Sequence, residues 1–115
     1  MDVLATLASA GIACSFVTAS IDGRDPFDSK LQLELRPAGI DGFALMTSEG
    51  ERDAPFVIER RGVWTSFSSD EVFEFGRTAI IDIGPGGEAV MVVNQPGSVA
   101  QLLSREGHCQ PLGAP

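Results

Sequence analysis

The chain has no tyrosine, one tryptophan, one histidine and two cysteines. Each scarcity excludes something. A single histidine rules out a His-rich metal site, and a Ser-His-Asp arrangement must use His108 with no serine in a nucleophile elbow to serve it. The missing tyrosines remove an alternative proton donor. Basic residues are also few, eight Lys and Arg against sixteen Asp and Glu, for a formal charge of -8. Such a surface repels phosphates, so direct nucleic-acid binding is not expected.

Long apolar runs are absent too. None reaches the roughly 18 residues of a membrane span, and no membrane association is expected. The stretch LASAGIAC, ending at Cys14, looks a little like a lipoprotein processing site. No Lys or Arg precedes it and Gly11 holds the usual leucine position, so it reads as mature protein. Cys14 and Cys109 lie far apart and read as free thiols in a reducing cytosol, with a disulfide closing the ends as the alternative. The expected location is cytoplasmic.

What is present describes a globular protein. With 115 residues, 43% of them hydrophobic, and seven Phe, the chain can bury a core without staples. Thirteen Gly and seven Pro indicate many turns. No internal repeat or long linker divides it. The expectation is a single globular α+β domain over 1–107 and a flexible tail over 108–115.

The pattern predicts a short helix over 2–10, capped by Asp2, with Val3, Leu4, Leu7 and Ala8 as its apolar stripe and Gly11 as its end. IACSFVTAS reads as a strand. KLQLELR is the clearest strand, with Leu31, Leu33 and Leu35 on one face and Gln32, Glu34 and Arg36 on the other. FALMTS returns antiparallel. A turn at Arg61-Gly62 puts Phe56, Ile58, Val63, Thr65 and Phe67 on one face, and Trp64 on the other beside Val57 and Glu59. Residues 68–76 read as strand or as a capped helical turn.

AIIDIGPGGEAVMVV predicts a hairpin around Gly84 to Gly87. It is apolar on nearly every position, so both faces are expected to be buried. In PGSVAQLLSREG, Ser98 and Gln101 form a capping box and Val99, Leu102 and Leu103 a stripe, which predicts a C-terminal helix. The fold class is therefore α+β: an antiparallel meander of about six to eight strands with a short helix from each end packed on it.

Candidate chemistry is thin. Asp22, Asp25 and Asp28 are evenly spaced in SIDGRDPFDSK. A calcium loop counted from Asp22 would require oxygen donors at Arg24 and Pro26, so this is not an EF-hand. GPGG joins two strands and lacks the following Lys-Ser or Lys-Thr of a phosphate loop. His108 and Cys109 are adjacent, which does not hold a base against a thiolate. Glu71 and Glu74, or Glu49, Glu51 and Asp53, sit among polar residues where nothing lifts a carboxyl pKa. Neither catalysis nor a metal or other cofactor is expected.

Recognition remains. Asp22, Asp25, Asp28, Glu49, Glu51 and Asp53 fall in two loops and form an acidic rim if the meander brings those loops to one edge. Trp64 is a candidate hydrophobic anchor beside it. The competing reading is two solvated loops and a tryptophan packed beneath a terminal helix. The expected function is an acidic cytosolic protein that masks a basic protein partner, such as a toxin domain or nuclease. This is the manner of an immunity protein, a phage inhibitor or a nucleic-acid mimic. The alternative is a structural or assembly component, such as a phage particle subunit or a secretion chaperone-like adaptor. A small-ligand binder with an apolar pocket under a curved sheet is a third reading.

Overall fold

The computed structural model describes residues 1–48, 53–69, 78–95 and 101–113. The short helix α1 (Val3–Ser9) leads into β1 (Ile12–Ile21), β2 (Phe27–Pro37), β3 (Phe43–Ser48) and β4 (Ala54–Arg61). Then come β5 (Trp64–Ser69), β6 (Thr78–Ile83), β7 (Glu88–Gln95) and β8 (Gln101–Pro111). Each strand pairs antiparallel with the next, and β8 pairs back onto β1 to close a barrel. The α+β expectation, an open sheet carrying two helices, is thereby corrected.

The correction has two physical sources. The segment from Gln101 onward, expected to be helical, is strand paired on both sides, with Ile21 opposite Leu103 and Val93 opposite Leu103. Two ladders outweigh a local capping preference. Residues 96–100, including Ser98 and Val99, lie outside the described residues. Strand β8 also runs through Pro111, so residues 108–111, expected to open a loose tail, are its last part.

The second source is the apolar hairpin. It forms as predicted, with Gly84 and Gly87 joined across its turn (3.0 Å), but among the described residues no second layer covers it. Ala79, Ile81, Ile83, Ala89, Met91 and Val93 face the lumen, while Ile80 on the other face is 38% exposed. Barrel closure buries one face of every strand and leaves the other as outer wall.

The core is that lumen. Leu33, Leu35, Phe16, Phe56, Phe67, Ile81 and Ile83 are all buried inside it. Each buried Phe contributes roughly 2–3 kcal/mol of apolar burial. Helix α1 stoppers the barrel where β1 begins. Asp2 caps it by accepting from the Ala5 N–H (3.1 Å), and Val3 and Leu7 reach the core. Leu4, expected in the same stripe, is partly exposed instead.

Strand β1 carries a bulge between Phe16 and Thr18. Opposite it, Gly107 pairs with Phe16, and a Cβ there would run into the Ser15 carbonyl and lie 2.6 Å from Phe16 Cα. Only glycine allows the two strands this approach.

Cys14 pairs with Cys109 across the β1–β8 seam, and the two form a disulfide. The free-thiol expectation is corrected by register: closure brings together residues 95 apart in sequence. Among the described residues, no helix is long and apolar enough to cross a membrane.

Candidate functional site

An up-and-down barrel sorts its connections between two poles. Helix α1 and the connections 38–42, 62–63 and 84–87 belong to one pole. The ends of β1, β3, β5 and β7 mark the other, where strands are joined through 22–26, 49–53, 70–77 and 96–100. We call these the helix pole and the loop pole.

Chain order therefore assigns Asp22, Asp25 and Asp53 to the loop pole. Glu49 and Glu51 lie outside the described residues, but they too fall between strand ends of this pole. Asp70, Glu71 and Glu74 stand between β5 and β6 in the sequence and lie outside the described residues. Only Arg24, Arg52 and Arg77 oppose these carboxylates in the four connections. The helix pole carries Asp2, Asp41 and Glu88, the last at the start of β7 with its carboxylate against the Gly84–Gly87 turn. Only the alternation of eight strands reveals which connections share an end, and sequence reading had no access to it.

The aspartates differ in what they do. Asp22 has φ 53 and sits in the tight β1–β2 turn. Its N–H donates to the Leu102 carbonyl, and its Oδ1 accepts from the Leu102 N–H, both at 2.8 Å. Its carboxylate thus extends the β1–β8 ladder by one rung. Asp53 accepts from the Thr47 hydroxyl at 3.0 Å. Asp25 and Asp28 are exposed without a polar partner among the described residues. Asp28 lies on the outer wall, opposite Thr18.

Trp64 does not join them. It opens β5 at the helix pole, opposite Arg61, and is half-buried on the outer wall. The six residues of β5 set it roughly 20 Å from the loop pole. Val57 and Glu59 share the outer wall with it, whereas Val63, expected in the core, is in the turn and 65% exposed. The turn residues are Gly62 and Val63, with Gly62 at φ 64.

His108 and Cys109 alternate across the β8 backbone. Cys109 points inward to its disulfide, while His108 is exposed with Nε2 3.1 Å from the Gly86 carbonyl oxygen. They cannot act together on one substrate. Among the described residues, no group of His, Cys, Asp and Glu is arranged to hold a metal ion.

Two further features stand out. On the outer wall, Ala13 and Ser15 of β1 floor an open groove of about 610 Å³. Gln110 and His108 flank it on one side, and Gln32, Glu34 and Thr47 on the other. It exists because small side chains on β1 lie between longer ones. Glu34 is already held by Arg36 at 2.7 Å.

The second feature is inside. Arg105 pairs with Ala19 and Met91, both core residues, so its side chain starts from the lumen face. Its guanidinium donates to the Ser29 hydroxyl. Among the described residues, no carboxylate pairs with it. Burial pushes its pKa down from the usual arginine value. Near the loop pole the lumen face carries small side chains, among them Ala19, Ser29, Ser69 and Ala79, together with the larger Phe27, Val93 and Leu103.

Comparison with family models, curated proteins and solved structures finds no match, so the functional reading rests on the chain's own residues.

Proposed function

We propose that this chain is a non-enzymatic binding protein whose loop pole engages and masks a basic protein partner, in the manner of an inhibitor or immunity protein. The observation carrying this reading is the segregation of charge by the barrel's alternation. By chain order three acidic connections run between strand ends of the loop pole, against Asp2, Asp41 and Glu88 at the helix pole. Such a pole steers a cationic surface toward itself and sets its orientation on arrival.

Asp25 carries the reading better than Asp22. It is exposed without a polar partner among the described residues, whereas the Asp22 carboxylate is engaged with Leu102. Trp64 is left out of this surface because the strands hold it at the opposite pole. The separation of His108 from Cys109 supports binding over thiolate chemistry. The assembly alternative would use edge strands and terminal helices for self-association; the closed barrel leaves no edge strand for it, and α1 is the terminal helix that remains.

The seam also bears on the compartment. A disulfide between β1 and β8 favours an oxidising environment over the cytosol expected from two distant cysteines.

The test is affinity purification with this chain as bait at low and high salt. A basic protein retained at about 50 mM salt and released near 500 mM supports the proposal, because exposed charge pairs are screened over that range. A partner held equally at both would place binding elsewhere than on the acidic pole.

A further inference from the structure

We propose that the barrel flank formed by β6, β7 and β8, with the bulge of β1 beside it, docks a basic amphipathic helix of a partner protein. The surface lies on the outer wall rather than at the loop pole, so it binds or fails independently of the reading above.

The first observation is where the exposed apolar side chains lie. Among the described residues, the large ones that strands present openly on the outer wall are Val17, Ile80 and Leu102, at 59%, 38% and 45% exposure. All three fall on this flank. The others belong to α1, to turns or to the rim of the lumen. Val17 is the extra residue of the β1 bulge, which turns it outward. Val90 and Val92 are half-buried on the same wall, with Ile80 opposite Val92.

The second is charge. Asp82 and Glu106 stand on either side of Val90, in one row across β6, β7 and β8. Among the described residues, no Lys or Arg lies on the outer wall of these strands. A cationic partner gains from both carboxylates, whereas a second copy of this chain would set like charges against each other.

The third concerns the form of the partner. Every strand is paired on both sides, so an extended segment cannot add to the sheet. A helix satisfies its own backbone. Cations seven residues apart on one helix face are separated by about 10.5 Å, and Asp82 and Glu106 are two strand spacings apart, about 9.6 Å. An apolar residue between the cations then lies over Val90, and its neighbours reach Ile80, Val92 and Leu102.

The experiment uses calorimetry and amide NMR with a synthetic helix of about 18 residues, carrying Lys at every seventh position and Leu three and four positions later. Its controls are a scrambled peptide of the same composition and a form with Glu in place of Lys. The helix is expected to bind at least tenfold more tightly than either, with shifts centred on Ile80, Val90, Val92 and Leu102. Glu106→Lys should weaken it at least tenfold, and Ile80→Ser with Leu102→Ser at least fivefold. These positions are exposed, where substitution leaves the barrel folded. The loop-pole variant Asp25→Asn, Glu49→Gln, Glu51→Gln should stay within about twofold, which separates the flank from that pole. Equal binding of the scrambled peptide, shifts centred on the loop pole, or affinity unmoved by both flank variants would overturn the proposal. So would a dimer of the parent that Ile80→Ser with Leu102→Ser splits, since a second copy would then be the occupant.

Discussion

Asp22 and Leu102 exchange two hydrogen bonds at 2.8 Å, one backbone to backbone and one from the Leu102 N–H to the Asp22 carboxylate. This aspartate closes the last rung between β1 and β8 before the chain turns, in a left-handed backbone conformation that Asp and Asn tolerate better than most residues. Asp22→Asn keeps both the conformation and an accepting oxygen, so its unfolding free energy should stay within about 0.5 kcal/mol of the parent. Asp22→Ala loses the acceptor and strains the turn, and should lose about 1–2 kcal/mol in urea denaturation. Equal effects of the two would mean the carboxylate contributes through its charge.

Across the same seam, the Cys14–Cys109 bond restrains a loop of 95 residues in the unfolded chain. Chain-entropy reasoning gives such a crosslink about 4–5 kcal/mol. Denaturation of the Cys14→Ala, Cys109→Ala variant should show a loss of that order, and reductant should bring the parent to a similar midpoint. A variant as stable as the parent would mean that strand pairing alone holds the barrel closed.

Gly107 provides a sharper test of the strand geometry. Any Cβ there meets the backbone of Ser15 and Phe16, which cannot step aside as a side-chain tip can. Gly107→Ala should destabilise by about 3 kcal/mol or prevent folding. Gly39→Ala makes a useful contrast: a Cβ there meets nothing within 4 Å, so only its positive φ of 79 opposes the change, at roughly 1 kcal/mol.

At the other pole, the helix is a stopper more than an independent element. Leu7→Ala should cost about 2–4 kcal/mol because Leu7 is part of the core, while Leu4→Ser should cost under about 1 kcal/mol. Similar losses at both positions would show that the helix packs by its whole apolar stripe.

Much of the barrel wall was legible residue by residue. Leu31, Leu33 and Leu35 alternate cleanly with polar neighbours, and they line the lumen. The Gly84–Gly87 turn was visible because glycines interrupt a β-branched run. Closure was not legible, since nothing local to Ile12 or Pro111 announces that those residues pair. Strand β8 hid behind Leu102 and Leu103, whose adjacency suits a helix stripe as well as a strand with one leucine on each face. The lumen position of Arg105 was hidden for the same reason. With β8 unrecognised, the inward parity shared by Leu103, Arg105 and Cys109 had no frame. The grouping of acidic loops was conditional on strand count, and Trp64 could be placed only once β5 had a direction.

The account's central claim is that the loop pole is the binding surface, and charge removal by pole tests it most directly. Three baits are compared at low salt: the parent, a loop-pole variant (Asp25→Asn, Glu49→Gln, Glu51→Gln) and an equally neutralised control away from that pole (Asp41→Asn, Glu34→Gln, Glu59→Gln). The account predicts that a basic partner is captured by the parent and the control and is lost, or weakened at least tenfold, with the loop-pole variant. Equal capture by all three, or loss only in the control, would contradict it.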